Sequence, residues 1–167
     1  MNLRTDRRHV DSDISFFMNS TATRGGIVSL NGTGSSGVAM DQAESTVAYA
    51  AEPSGIEPVG LLINDVVNLD LTRQHINFHK DEVQVGGKVT VWTDCTVVTD
   101  FVYPDHTPTP GQTAYVCDSG YIGNADISTD AGQSTNGVGV SSTRIVGRFL
   151  TGKDEDGYAK VSIKLPS

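Results

Sequence analysis

Residues 82–93 constrain the fold of this chain more than any other stretch. Val83 and Val85 alternate with polar neighbours, Gly86-Gly87 interrupts, and Val89 and Val91 resume the alternation. Side chains two apart share one face of an extended strand, and a Gly pair supplies the positive φ that a tight turn needs, so the pattern predicts a tight hairpin. A second alternating run lies at residues 158–165, where Ala159, Val161, Ile163 and Leu165 are set against Lys160, Ser162 and Lys164. It predicts an antiparallel strand with one face in a core and one in water.

The same grammar of short apolar runs between turn residues extends over most of the chain, at residues 27–30, 38–40, 46–50, 59–63, 95–99, 113–117 and 145–150. These are strand-length pieces. Pro104, Pro108 and Pro110 predict a rigid loop without continuous pairing, and Asp118-Ser119-Gly120 predicts a turn. The Gly, Ser, Thr, Asn and Asp of residues 123–143 predict a long surface loop. Residues 151–157 join two strands as a hairpin through an Asp-Gly turn. Only residues 38–52, with their Ala, Met, Gln and Glu, compete as a helix, and Thr46, Val47 and Tyr49 argue there for a strand instead. The fold class expected is all-β.

At 167 residues the chain is long enough for one domain with a real core. Twenty acidic and twelve basic residues give a net charge of -8, which disfavours nucleic acid as a partner, since phosphate neutralisation needs clustered Lys and Arg. Residues 1–25 are the exception, with Arg4, Arg7, Arg8 and Arg24 against Asp6, Asp11 and Asp13. No apolar run reaches the roughly twenty residues of a membrane helix, and the N-terminus lacks a signal-peptide core, so a soluble, unexported chain is expected. Cys95 and Cys117 have no C-x-x-C spacing and are expected to pack as small hydrophobes, although a disulfide is open if their strands are neighbours.

Several motifs invite chemistry and are better explained without it. Residues 32–37 match G-x-G-x-x-G literally, but a dinucleotide fold needs βαβ crossovers and the chain beyond residue 53 reads as hairpins. His75 and His79 would share a helix face with metal-binding spacing, completed by Asp81 or Glu82. In an extended chain they simply fall on the polar side opposite Ile76 and Phe78. Asp154-Glu155-Asp156-Gly157 resembles the end of a calcium loop but has Gly152 and Leu165 where acidic ligands belong, so a plain turn is expected. No G-x-S-x-G, Cys-His or paired-carboxylate arrangement assigns an acid, base or nucleophile. Neither an enzyme nor a cofactor is therefore expected. Trp92, Tyr49, Tyr103, Tyr115, Tyr121 and Tyr158 offer either ordinary packing or a carbohydrate or partner platform.

Residues 1–25 carry one apolar cluster, Ile14, Phe16, Phe17 and Met18, among charges and small polar residues. Two readings are open: an N-terminal arm that orders on a partner by adding a strand to a sheet edge, or a terminus whose patch docks on its own body of residues 26–167.

Residues 49–89, YAAEPSGIEPVGLLINDVVNLDLTRQHINFHKDEVQVGGKV, resemble capsid decoration (cement) proteins of tailed bacteriophages, and residues 145–161, IVGRFLTGKDEDGYAKV, fit the same family. The resemblance implies a small β-barrel or β-tulip body and a homotrimer seated at three-fold and local three-fold positions of the virion's outer surface. The partner implied is the major capsid protein, met after synthesis in the host cytoplasm. It also implies an arm that touches the capsid, for which Arg4, Arg7, Arg8, Ile14, Phe16, Phe17 and Met18 are the candidate residues. A tail-tube or fibre module and a carbohydrate-binding β module are the rival expectations.

Overall fold

The computed structural model describes residues 3–5, 11–31, 46–51, 56–68, 82–124 and 144–165, without the side chains of 3–5 and 12–15. The described chain is all-β. Its strands are β1 (Leu3–Thr5), β2 (Asp11–Met18), β3 (Ile27–Leu30), β4 (Thr46–Ala48), β5 (Pro58–Leu62), β6 (Asp65–Val67), β7 (Glu82–Gln84), β8 (Lys88–Thr99), β9 (Thr113–Val116), β10 (Ile122–Gly123), β11 (Ile145–Phe149) and β12 (Ala159–Lys164). A 3-10 turn spans Asp118–Gly120, where the Asp-Ser-Gly signal predicted one.

Five strands close into a small barrel. Around the ring, β8 pairs antiparallel with β2, β2 parallel with β4, β4 antiparallel with β3, β3 with β5, and β5 returns to β8. Closure leaves no free edge among these strands. Met18, Val28, Val47, Leu62, Val89 and Val91 fill the interior, joined by Val66 of β6. On β3 and β5 the neighbouring residues, Ile27 and Leu61, point the other way and are equally buried, because a second core lies against that side of the barrel. Both faces of these staves are apolar for that reason, which is why they read as continuous runs and not as alternations.

The second core belongs to an antiparallel sheet that runs β8-β12-β11-β9-β10. The pairs Ile163↔Cys95 and Val161↔Val97 set the register between β12 and β8. The odd-numbered face of β8 serves both cores: Val89 and Val91 enter the barrel, Cys95 and Val97 the flanking sheet. β12 shows the alternation expected of it, with Ala159, Val161 and Ile163 buried and Lys160, Ser162 and Lys164 less so. It forms the predicted hairpin with β11, whose turn is fastened by Asp154: its Oδ1 accepts from the N–H of Asp156 at 3.1 Å and of Tyr158 at 2.7 Å.

Four expectations are changed or decided between. The turn at Gly86-Gly87 forms, with Gly86 at φ 85° and the Gly87 N–H donating to the Gln84 carbonyl at 2.8 Å. Its two arms nevertheless part, because β7 pairs parallel with β6 in a separate two-stranded sheet while β8 enters the barrel. Alternation dictates which face is buried and leaves the partner strand open. Second, of the two readings of residues 1–25 the docked one holds for the described part, since β2 is a stave of the barrel and β1 pairs with β8 through Leu3↔Thr99; residues 1, 2 and 6–10 lie outside the described residues. Third, of the two readings of residues 38–52, the strand holds at Thr46–Ala48, which is β4, a stave where β-branched Thr46 and Val47 are buried; residues 38–45 lie outside the described residues. Fourth, the loop expected from residue 123 begins one residue later, since Gly123 pairs with Tyr115 in β10; residues 125–143 lie outside the described residues.

Candidate functional site

The candidate contact residues divide sharply. Met18 is fully buried in the barrel and Phe17 is 4% exposed, with the Lys88 ammonium 5.6 Å from its ring centre. Phe16 is half-buried against the barrel core. These three side chains hold the body together. Arg4 lies on β1 and Ile14 on β2, both with side chains outside the description, and Arg7 and Arg8 lie outside the described residues, as do His75, His79 and residues 32–37. Among the described residues no group of three or more His, Cys, Asp or Glu side chains is arranged to hold a metal ion, and no helix is long and apolar enough to cross a membrane.

Buried chemistry is present but quenched. His106 and Cys117 flank the α-carbon of Gly123, where an added Cβ would lie 2.5 Å from both the His106 Nδ1 and the Cys117 Sγ. Sequence reasoning did not pair them, since eleven positions separate a loop histidine from a strand-end cysteine. Burial, with Asp118 adding to it, pushes the Cys117 thiol up to about 12. The imidazole Nδ1 accepts the Asn124 N–H at 3.2 Å, and burial holds His106 below its ordinary value, helped by Lys153 and opposed by Asp105. A protonated thiol without exposure is a packing group. Cys95 is likewise buried and raised to about 12, and neither cysteine is in a disulfide.

A surface feature with binding geometry is an open groove of about 570 Å³ between the β2–β3 connection, the β6–β7 sheet and the 3-10 turn. Its wall is a chain of rings. Tyr49 and Phe101 lie 5.6 Å apart between centres, Phe101 stacks on Tyr121 at 5.2 Å, and Tyr121 meets Tyr103 edge-on at 6.0 Å. Tyr103 then packs on His106 at 5.1 Å. The rings come from three separated segments, and all four tyrosine and phenylalanine rings remain partly exposed.

Two glycines make the seat for this wall. A Cβ on Gly120 would lie 2.5 Å from the Tyr49 ring, and one on Gly26 would lie 2.7 Å from the Phe101 ring. Without side chains there, both rings pack directly on backbone. The Tyr49 hydroxyl is fixed at its inner end, donating to the Thr23 carbonyl at 2.6 Å and accepting the Gly26 N–H at 3.1 Å. Its desolvation raises the phenol well above the ordinary value, more than the Gly26 bond lowers it, and the Asp65 carboxylate raises it further. The Thr99 hydroxyl donates to the Gly25 carbonyl at 2.8 Å and accepts the Phe101 N–H at 3.1 Å, locking the other side of the seat.

Carboxylates stand at both ends of the ring chain. Asp65 lines the groove beside Tyr49 and accepts the Arg24 backbone N–H at 2.8 Å, and Glu82 lines it from β7. At the far end the Tyr103 phenol is raised by desolvation and then by Asp118 and Asp105. The tyrosines were visible in sequence, whereas Phe101, His106 and the two glycines were not, because only the fold brings them into one row. Trp92, the largest aromatic, instead packs against the second core. This arrangement offers flat apolar surface, hydroxyls and acceptor oxygens, which suits binding. In comparisons with known proteins, the chain matches no family model and no curated protein.

Proposed function

We propose that the chain is a head decoration protein of the tailed-phage type, which binds the outside of the mature capsid at three-fold and local three-fold positions and stabilises the shell. The observation that supports this reading is where the resembling stretches fold. Residues 49–89 supply β5, β6, β7 and the start of β8, residues 145–161 supply β11 and the start of β12, and both sets meet on β8 through the β5–β8 and β12–β8 pairings. The resembling strands β5, β11 and β12 are thus joined through β8, with β6 and β7 in their separate two-stranded sheet.

A protein that binds only the expanded shell stabilises that state by mass action, and a trimer engaging several capsid subunits gains through effective concentration. Phe17 and Met18 are committed to the body's own core, so the capsid contact is assigned to the basic side chains of Arg4, Arg7 and Arg8, with no need for an arm that leaves its barrel. The test is retention of the Arg4→Ala, Arg7→Ala, Arg8→Ala triple variant on purified heads. Reduced occupancy with an unchanged melting temperature is expected. Full occupancy would remove the contact assignment, and labelling of tails in place of heads by the wild-type chain would replace the reading with that of a tail module.

A further inference from the structure

We infer that the groove walled by Tyr49, Phe101 and Tyr121 is a binding site for a neutral oligosaccharide. Its volume of about 570 Å³ falls in the range of ligand clefts, roughly 300–1,000 Å³. Sugar rings present flat C–H faces edged by hydroxyls, and they need an apolar plane with polar groups around its rim. The groove has this composition. Partly exposed rings give the apolar surface, with Tyr49 seated on Gly120 and tilted 42° from Phe101, and Phe101 seated on Gly26 and stacked on Tyr121, while Thr21, Thr23 and Ser119 bring hydroxyls, and Asp65 and Glu82 bring carboxylate oxygens to the lining.

Ser119 adds an independent sign. It is the one non-glycine residue with positive φ among the described residues, at 55°, and it sits on the lining fully in water's reach. A serine in that conformation is uncommon, and such strain gathers at ligand sites. Its backbone N–H is held by the Ala50 carbonyl at 2.7 Å, beside the Tyr49 ring, so the strained turn and the ring wall are one rigid unit. Charge selects among sugars. Glu82 on the lining and Asp105 and Asp118 beside Tyr103, on a chain of net charge -8, disfavour sulfated and sialylated glycans and leave uncharged ones as the fitting class, while Asp65 is partly offset by the Arg24 guanidinium at 3.9 Å.

The lining residues do not include the capsid-contact residues Arg4, Arg7 and Arg8, so either idea survives the failure of the other. The experiment is a screen of the full chain on a glycan array, followed by titration of the best uncharged oligosaccharide by calorimetry and by amide chemical shifts. Binding confined to uncharged glycans is expected, with shifts centred on Ala22, Thr23, Val66, Ser119 and Tyr121. Tyr121→Ala should weaken affinity about tenfold, while Tyr121→Phe, which keeps the ring, preserves it. No glycan binding at millimolar concentration, shifts centred elsewhere, unaltered affinity in a folded Tyr121→Ala variant, or tighter binding of Arg-rich peptides than of any glycan would each overturn the proposal. If Tyr121→Ala melts below working temperature, the shift map of the wild-type chain decides alone.

Discussion

The α-carbon of Gly147 faces the carbonyl oxygen of Ser162 across the β11–β12 pair so closely that a methyl group there would overlap the β12 backbone. The site adjoins the register shift between Ile145 and Gly147, where β11 bulges against β9 and turns Val146 into the second core. Neither partner is a flexible side-chain end, so the clash cannot be relieved by a rotamer change. Gly147→Ala is expected to cost roughly 2–3 kcal/mol, the range of overpacked cores, read as a fall in the urea midpoint with an unchanged slope.

Met18 tests whether the N-terminal segment belongs to the body. Met18→Ala removes a fully buried barrel side chain and should destabilise by about 3 kcal/mol. Deleting residues 1–20 removes a stave and should abolish cooperative unfolding. A deletion that melts like the full chain would show that the barrel closes without β2.

The two thiols should be silent in the folded protein. Raised from 9.0 to about 12, each should react with iodoacetamide at pH 8 more slowly than an ordinary thiol by on the order of a thousandfold, and at ordinary rates once denatured. Mass spectrometry of alkylated native and unfolded chain reads this directly.

Stability should fall at both ends of the pH scale. Below pH 9 the cysteine thiols are protonated whether the chain is folded or not; from there to about 12 the unfolded chain loses protons that the folded chain retains, so stability declines. Tyr49 acts in the same alkaline direction. His106 acts on the acid side: its folded value is lowered, so as pH drops through 6.5 the unfolded chain takes up a proton that the folded chain resists. Melting temperature against pH should show a plateau between, and His106→Asn should flatten the decline between about pH 7 and 5.

Asp154 fastens the β11–β12 turn through its two backbone hydrogen bonds. Asp154→Ala should cost about 1 kcal/mol, and added calcium should leave the melting temperature of the wild-type chain unchanged.

Much of this fold was legible in the sequence where burial is one-sided. The run at Ile27–Leu30 and the alternation of β12 were readable because apolar patterning reports a face directly. Partnership was not. Nothing local tells that Glu82–Gln84 pairs in parallel with Asp65–Val67 across a separation of seventeen positions, or that β2 lies parallel to β4. β2 itself was obscured because DSDISFFM keeps its apolar residues at one end, and a strand inside a closed barrel needs only part of its length buried. The ring wall was hidden for a related reason: Tyr49, Phe101, Tyr103 and Tyr121 have no common spacing and meet only after closure.

The 12-residue length of β8, serving both cores, has a consequence for synthesis. Of the barrel staves β2 leaves the ribosome first, yet its partner positions on β8, from Lys88 to Asp94, follow more than seventy residues later. Only its Phe17–Met18 end can meet β4 before then, and closing so long a loop is slow. Once β8 arrives the barrel can close, and the remainder of the same strand awaits β12, which is made last. Assembly is therefore gated by a single late segment, and a ribosome stalled before residue 88 would display an unclosed, association-prone edge.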